Sequence, residues 1–189
     1  MHTKLVILDR DGTINRASDQ FVKSPEEWHP LPGALEAIGR LNHEGYHVVL
    51  ATNQSGLGRG LFDIAALNSV HAHMMKALAA QGARIDAVFY CPHAPDEGCH
   101  CRKPEPGLLE QIAQRYGVPL AGVPYIGDSL RDMQAAERAG CGPHLVCTGR
   151  HTDLIGQAEA PAGFPAGTRV HADLAACVDH LLQAGLNAA

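Results

Sequence analysis

What most constrains this chain is an alternation of two periodicities. Short, almost uninterrupted apolar runs stand at residues 4–8, 46–51, 87–90, 123–126 and 144–147, with a weaker one at 168–170. Rich in Val, Ile, Leu and aromatics, they read as strands buried on both faces. Between them, residues 34–41, 64–78, 107–116, 130–139 and 174–182 carry apolar positions at helical spacing. Strand and helix in turn imply an α/β architecture of three layers, a mainly parallel sheet with helices on both faces. In such sheets ligands sit outside the carboxyl ends of the strands, so the residues just past each strand are where chemistry is to be sought.

Residues 156–167 (GQAEAPAGFPAG) read as a surface loop before the last strand, and no repeat of solenoid period occurs. At 189 residues, 46% apolar and 19% charged, the chain can bury roughly 70% of its unfolded surface, so a single domain over 1–189 is expected. The 15 Lys and Arg against 20 Asp and Glu give a net charge of -5, which argues against a general nucleic-acid binder. An anionic substrate remains compatible, because a few cations inside a cleft act locally. The apolar run at 5–8 is shorter than the ~7 to 15 residues of a signal-peptide core, and no stretch approaches the ~18 of a membrane span. The expected compartment is therefore the cytoplasm, without a membrane partner and with reduced thiols. The six cysteines then read as metal ligands or small buried residues, and Cys141, Cys147 and Cys177 as the latter.

Polar residues follow four of the strands. The first ends in Asp9-Arg10-Asp11-Gly12-Thr13. Two carboxylates leaving a strand at i and i+2 repel unless a proton or a hard cation such as Mg²⁺ lies between them, although an Asp-Gly turn explains the pair as well. A calcium loop fails on spacing, since the twelfth position from Asp9 is Gln20. The second strand ends in Thr52-Asn53-Gln54-Ser55-Gly56, a hydroxyl and amide cluster that suits phosphate or is simply a flexible loop. Past the third come Cys91-x-His93 and Cys99-x-Cys101, four soft ligands that match a closed tetrahedral zinc site. Such a zinc is structural: it pins the loop and delivers Arg102 and Lys103 to the sheet edge, and His100 is left over. The fourth strand ends in Gly127-Asp128-Ser129-Leu130-Arg131-Asp132, where Asp128 reads as a metal ligand or as a helix N-cap.

Taken together, Asp9-Thr13, Thr52, Lys103 before Pro104, and Gly127-Asp132 resemble the four motifs of the haloacid dehalogenase (HAD) phosphatase superfamily. The T-N-Q-S-G stretch beside the zinc loop resembles, within it, the heptose bisphosphate phosphatases and the histidinol-phosphate phosphatases. That resemblance implies a Rossmann-like HAD fold and a Mg²⁺-dependent phosphomonoester hydrolase. Asp9 would be the nucleophile, Asp11 the general acid and base, and Thr52 and Lys103 the groups that stabilise the phosphoryl oxygens. Asp9, Asp11 (through its carbonyl) and Asp128 would hold Mg²⁺. Asn53, Gln54, Ser55, Arg102, Asp19 and Gln20 would contact substrate. Only residues 14–31 and 91–102 occupy the usual cap insertion points, so the domain is expected to be capless, with the zinc loop and residues 16–23 as its rim. A heptose bisphosphate is the expected substrate and a monomer the expected state. The five residues between His93 and Cys99 keep histidinol phosphate as the alternative, which the absence of a second catalytic domain disfavours. A sugar-phosphate sensor without catalysis is the reading from another class, and it would have no need of Asp11.

Overall fold

The computed structural model describes residues 3–187; the outermost residues of the expected 1–189 domain lie outside them. Six strands form one sheet: β1 (Leu5–Leu8), β2 (His47–Asn53), β3 (Ala87–Cys91), β4 (Pro124–Gly127), β5 (Gly142–Val146) and β6 (Arg169–His171). Their order is β3-β2-β1-β4-β5-β6, and every neighbouring pair runs parallel. The connecting helices are α1 (Ala34–His43), the four-residue α2 (Ser55–Gly58), α3 (Ile64–Ala80), α4 (Gly107–Tyr116), α5 (Leu130–Ala139) and α6 (Leu174–Asn187). All six strands and five of the helices lie where the sequence pattern puts them. The pattern misses α2 and two 3-10 turns, Pro25–Glu27 and Thr152–Leu154, each too short to display a period.

Alternating side chains of the strands pack on both faces, as a sheet buried on both sides requires, with a smaller cluster of Met133, Leu145, Cys147, Leu154 and Val170 at the β5–β6 end. On one face Val6, Leu8, Val48, Leu50, Ile126 and Val146 pack with α1, α3 and α6. On the other, Ile7, Val49, Ala51 and Tyr125 pack with α4 and α5. Cys141, Cys147 and Cys177 are buried free thiols, as expected. The loop over 156–167 contributes only isolated bridges, at Glu159 and between Ala162 and Phe164.

Strand order reverses between β1 and β4, where Ile7 pairs with Tyr125 and Leu8 with Ile126. Chain connections leave that junction in opposite directions, opening a crevice above the two strand ends. Asp9 is the next residue after β1 and Asp128 the next after β4.

Candidate functional site

A cavity of about 150 Å³ occupies the crevice, and Asp9, Asp11, Thr52, Asn53, Gln54, Ser55, Arg102, Lys103 and Asp128 all line it. The buried ammonium of Lys103 lies at its floor. Nζ lies 2.8 Å from Asp9 Oδ1 and 2.7 Å from Asp132 Oδ1, and it donates to the Ala51 carbonyl at 2.9 Å. Burial alone would lower its pKa; the carboxylates of Asp132 and Asp9 overcome that and hold it above the ordinary lysine value. Asp9 is pushed up to about 6, chiefly by burial, with Lys103 opposing. Asp128 is pushed up to about 8, again by burial first and then by the negative charges of Asp9 and Asp132.

Oxygens of Asp9, Asp128 and Asp132 lie within 4.8 Å of one another. Asp132 is already saturated. Beyond the lysine it accepts from Tyr125 at 3.0 Å, from the Ser129 hydroxyl at 2.6 Å and from the Ser129 amide at 3.0 Å. The bond from the Ser129 amide, together with the Asp132 amide donating back to the Ser129 hydroxyl at 3.4 Å, closes a capping box on α5, which makes Ser129 the N-cap and removes that reading of Asp128. Asp128 Oδ2 is buried and accepts no hydrogen bond; the nearest cation, Arg150 Nε, stands 3.8 Å away. A buried anionic oxygen left unpaired costs free energy that a bound cation would offset. Two glycines create the room around it. A Cβ at Gly12 (φ 83°) would meet this oxygen at 2.2 Å, and one at Gly149 would meet it at 2.4 Å. The donors, all hard oxygens, suit Mg²⁺.

The Asp11 side chain is turned away from the Asp9 and Asp128 carboxylates. Its carboxylate turns to Arg10 (Nη2 at 3.0 Å), Asn15 (2.9 Å) and Gln54 (3.0 Å). Burial would raise its pKa, yet the Arg10 guanidinium and these bonds hold it below the ordinary carboxylate range. Only its main-chain carbonyl is therefore left to serve the cation. The amides past β2 also do work the motif alone does not show. Gln54 Nε2 bridges Asp11 and the Thr52 hydroxyl, each at 3.0 Å. Asn53 spends both side-chain polar atoms on Lys103, donating to its carbonyl and accepting from its amide at 3.1 Å each. It positions the lysine and keeps one amide N–H at the cavity lining.

Asp19 and Gln20 are exposed and do not line the cavity; Ala17, Ser18, Phe21 and Val22 do. The segment turns at Phe21, whose φ of 64° swings its neighbours apart, and no sequence period marks such a turn. Arg131 and Arg150 also line the cavity, and the sequence reading missed both roles. Arg150 was findable: it follows β5 as the other site residues follow their strands. Arg102 has a buried Nη1 without a partner, and burial, with Arg131 and Arg59 nearby, lowers its pKa. Cations crowded this way favour an anionic guest.

Beside the cavity, Cys91, His93, Cys99 and Cys101 converge. Sγ of Cys91 is 3.6 Å from that of Cys99, Cys99 is 3.6 Å from Cys101, and His93 Nδ1 is 3.5 and 3.3 Å from Cys91 and Cys101. A tetrahedral zinc with Zn–S of about 2.3 Å requires ligand-to-ligand edges of about 3.6 to 3.8 Å, so the four donors fit that ion and are far too separated for disulfides. His100 stays outside and pairs with Glu110 at 2.8 Å.

Residues 100–177 match the family model described as HAD-hydrolase-like. The chain is 59% identical over 180 residues, 95% of its length and 98% of the relative's, to D-glycero-beta-D-manno-heptose-1,7-bisphosphate 7-phosphatase of Bordetella bronchiseptica. It is 46% identical to the protein of the same name in Pseudomonas aeruginosa, covering 97% and 100% of the two chains. Among solved structures, it is similar to D,D-heptose 1.7-bisphosphate phosphatase from B. bronchiseptica complexed with magnesium and phosphate, with a TM-score of 0.91 at 59% identity over 96% and 99% of the chains. D,D-heptose 1,7-bisphosphate phosphatase from Burkholderia thailandensis aligns with a TM-score of 0.73 at 48% identity over 95% and 99%.

Proposed function

The chain belongs to the HAD-like phosphatases, and on that premise we propose that it hydrolyses the 7-phosphate of D-glycero-D-manno-heptose 1,7-bisphosphate through an aspartyl-phosphate on Asp9. The observation that carries the reading is the lysine-held Asp9 facing the unpartnered Asp128 oxygen across a cavity rimmed with arginines. Mg²⁺ held by Asp9, Asp128 and the Asp11 carbonyl supplies positive charge that offsets the repulsion between an anionic nucleophile and an anionic phosphate. Whole-length identity to heptose bisphosphate phosphatases favours that substrate over histidinol phosphate.

In the first step an Asp9 oxygen forms a bond to phosphorus while the bond from phosphorus to the sugar oxygen breaks. Asp11 gives a proton to the departing alkoxide. In the second, water attacks the same phosphorus, Asp11 takes its proton, and the acyl-phosphate bond breaks to return Asp9 and inorganic phosphate. Lys103 and Thr52 hold the phosphoryl oxygens, and Arg102 meets the rest of the substrate. Asp11 is ionised at rest by Arg10, so its acid role requires it to take up a proton from solvent as substrate enters and its bonds to Arg10 and Gln54 loosen; the proton it takes from water in the second step returns to solvent when the site empties. Asn53 and Asp132 position Lys103, and Gln54 positions Asp11. Zinc in the cysteine loop stiffens the path from β3 to Lys103. Small sugar phosphates are the partners of this site, and no helix among the described residues is long and apolar enough to cross a membrane. The protein acts as one capless domain, as a monomer in the cytoplasm.

The test is phosphate release with Mg²⁺ from heptose 1,7-bisphosphate and histidinol phosphate side by side. A clear preference in kcat/KM for the bisphosphate is expected, and Asp9→Asn should lower turnover by at least about a thousandfold. Preference for histidinol phosphate would overturn the substrate, and turnover within tenfold in Asp9→Asn would overturn the nucleophile.

A further inference from the structure

We infer that His144, His171 and Cys177 form a second soft-metal site, for a divalent transition cation of the zinc and cobalt class, built from residues that belong to neither the carboxylate cluster nor the cysteine loop. The three come from β5, β6 and α6, at the far end of the sheet from β3. Their ligand atoms lie within 4.8 Å of one another. His144 Nδ1 and His171 Nε2 are already 3.0 Å apart, close to the edge of about 3.3 Å that two imidazoles make on a tetrahedral ion. The rings stack with centroids 5.2 Å apart and an interplanar angle of 19°. Cys177 completes the set from the helix packed above them and is fully buried. One helical step further, at i+3 on the same face, His180 brings a third imidazole to 5.4 Å from His171 and 6.0 Å from His144, centroid to centroid. Its ring nitrogens are not part of the close cluster, so the ligand set is His144, His171 and Cys177.

The chemistry of the cluster points the same way. Burial pushes His144 down to about 3 and His171 down to about 4, aided by neighbouring imidazoles and by Arg169, so both rings are neutral and have lone pairs to give. Neither ring makes another side-chain hydrogen bond among the described residues. No carboxylate acts on either ring, so a proton shared by an ion pair does not explain three imidazoles gathered here. Burial also raises the Cys177 thiol well above its ordinary value, so it stays protonated until a cation displaces the proton. Binding therefore releases one proton per cation and strengthens as pH rises. Two imidazoles and a thiolate select borderline and soft cations over Mg²⁺.

The experiment titrates the intact, phosphine-reduced protein, its zinc loop filled and Mg²⁺ in excess, with Co²⁺ while zinc content is followed. The expected result is one further Co²⁺ per chain, zinc retained, with an intense sulfur-to-cobalt charge-transfer band and tetrahedral visible bands. Oxygen ligation at the carboxylate cluster gives neither. Cys177→Ser should lose the sulfur band, and His171→Gln should weaken Co²⁺ binding at least about tenfold. Absence of the sulfur band in the unaltered protein overturns the inference. So does a band that survives Cys177→Ser, since its thiolate would then belong to the zinc loop. Should Cys177→Ser fail to fold, half-buried His171 decides: unchanged affinity in His171→Gln overturns the site and weakened affinity supports it.

Discussion

Asp128 shows how much of a site can rest on one unpaired atom. Its Oδ2 has no donor, and Gly12 and Gly149 leave the space beside it clear. Gly149→Ala places a Cβ 2.4 Å from that oxygen and must displace the carboxylate. The expected outcome is a loss of about 10- to 100-fold in apparent Mg²⁺ affinity, read from the Mg²⁺ dependence of turnover. The same burial sets a pH dependence. Asp9 and Asp128 are raised from 3.8 to about 6 and about 8, so between those values the folded state binds more protons than the unfolded one. Stability of the cation-free protein therefore falls as pH rises from about 4 through about 8, since its slope follows protons bound unfolded minus folded. A cation that neutralises the pair removes this penalty. Mg²⁺ should raise the melting temperature more at about pH 8 than at about pH 5, and an equal rise at both would contradict the raised values. Most of these residues could be read from the sequence because each stands directly after an apolar run. The direction of Asp11 could not: it depends on Arg10 and Gln54, and spacing says nothing of where a side chain turns.

At the scale of elements, the loop from β3 to α4 has no regular secondary structure over His93, Cys99 and Cys101 and carries Lys103 two residues beyond Cys101. Two ties hold the lysine: the metal on one side and Asn53, at the end of β2, on the other. Cys99→Ser should release about one zinc per chain and lower the melting temperature. It should also reduce kcat at least about tenfold, because the ammonium loses its fixed approach to Asp9. Metal analysis, thermal unfolding and kinetics on one preparation check all three. Legibility at this scale followed length. Helices such as α4 and α5 begin and end where their periodicity and glycine stops put them, at Gly117 and Gly140. Four-residue α2 and the turn at Phe21 show no period, and that is why Asp19 and Gln20 were expected at the cavity where Ser18 and Phe21 stand.

For the molecule as a whole, the site exists only where β1, β2 and β4 lie side by side with the loop after β3 folded over them. No single element carries a working fragment. In urea, activity and far-ultraviolet circular dichroism should therefore be lost in one coincident transition, and activity lost well before the helical signal would show that the site opens separately. The alternation of runs made this architecture legible, since a parallel sheet with covered faces has few other ways to be written. The His144, His171 and Cys177 cluster was not legible, because its members come from three elements with no shared spacing. The pairing of Ile7 with Tyr125 has a consequence during synthesis. As the chain leaves the ribosome, β1 appears first and can zip to β2, and β2 to β3, but the other edge of β1 waits for a partner encoded far downstream. Until β4 arrives, the nascent protein exposes a row of unpaired peptide groups at the centre of its future sheet, a surface that invites mispairing. A newborn chain is thus inert and adhesive for most of its translation, and both conditions end when one strand is inserted.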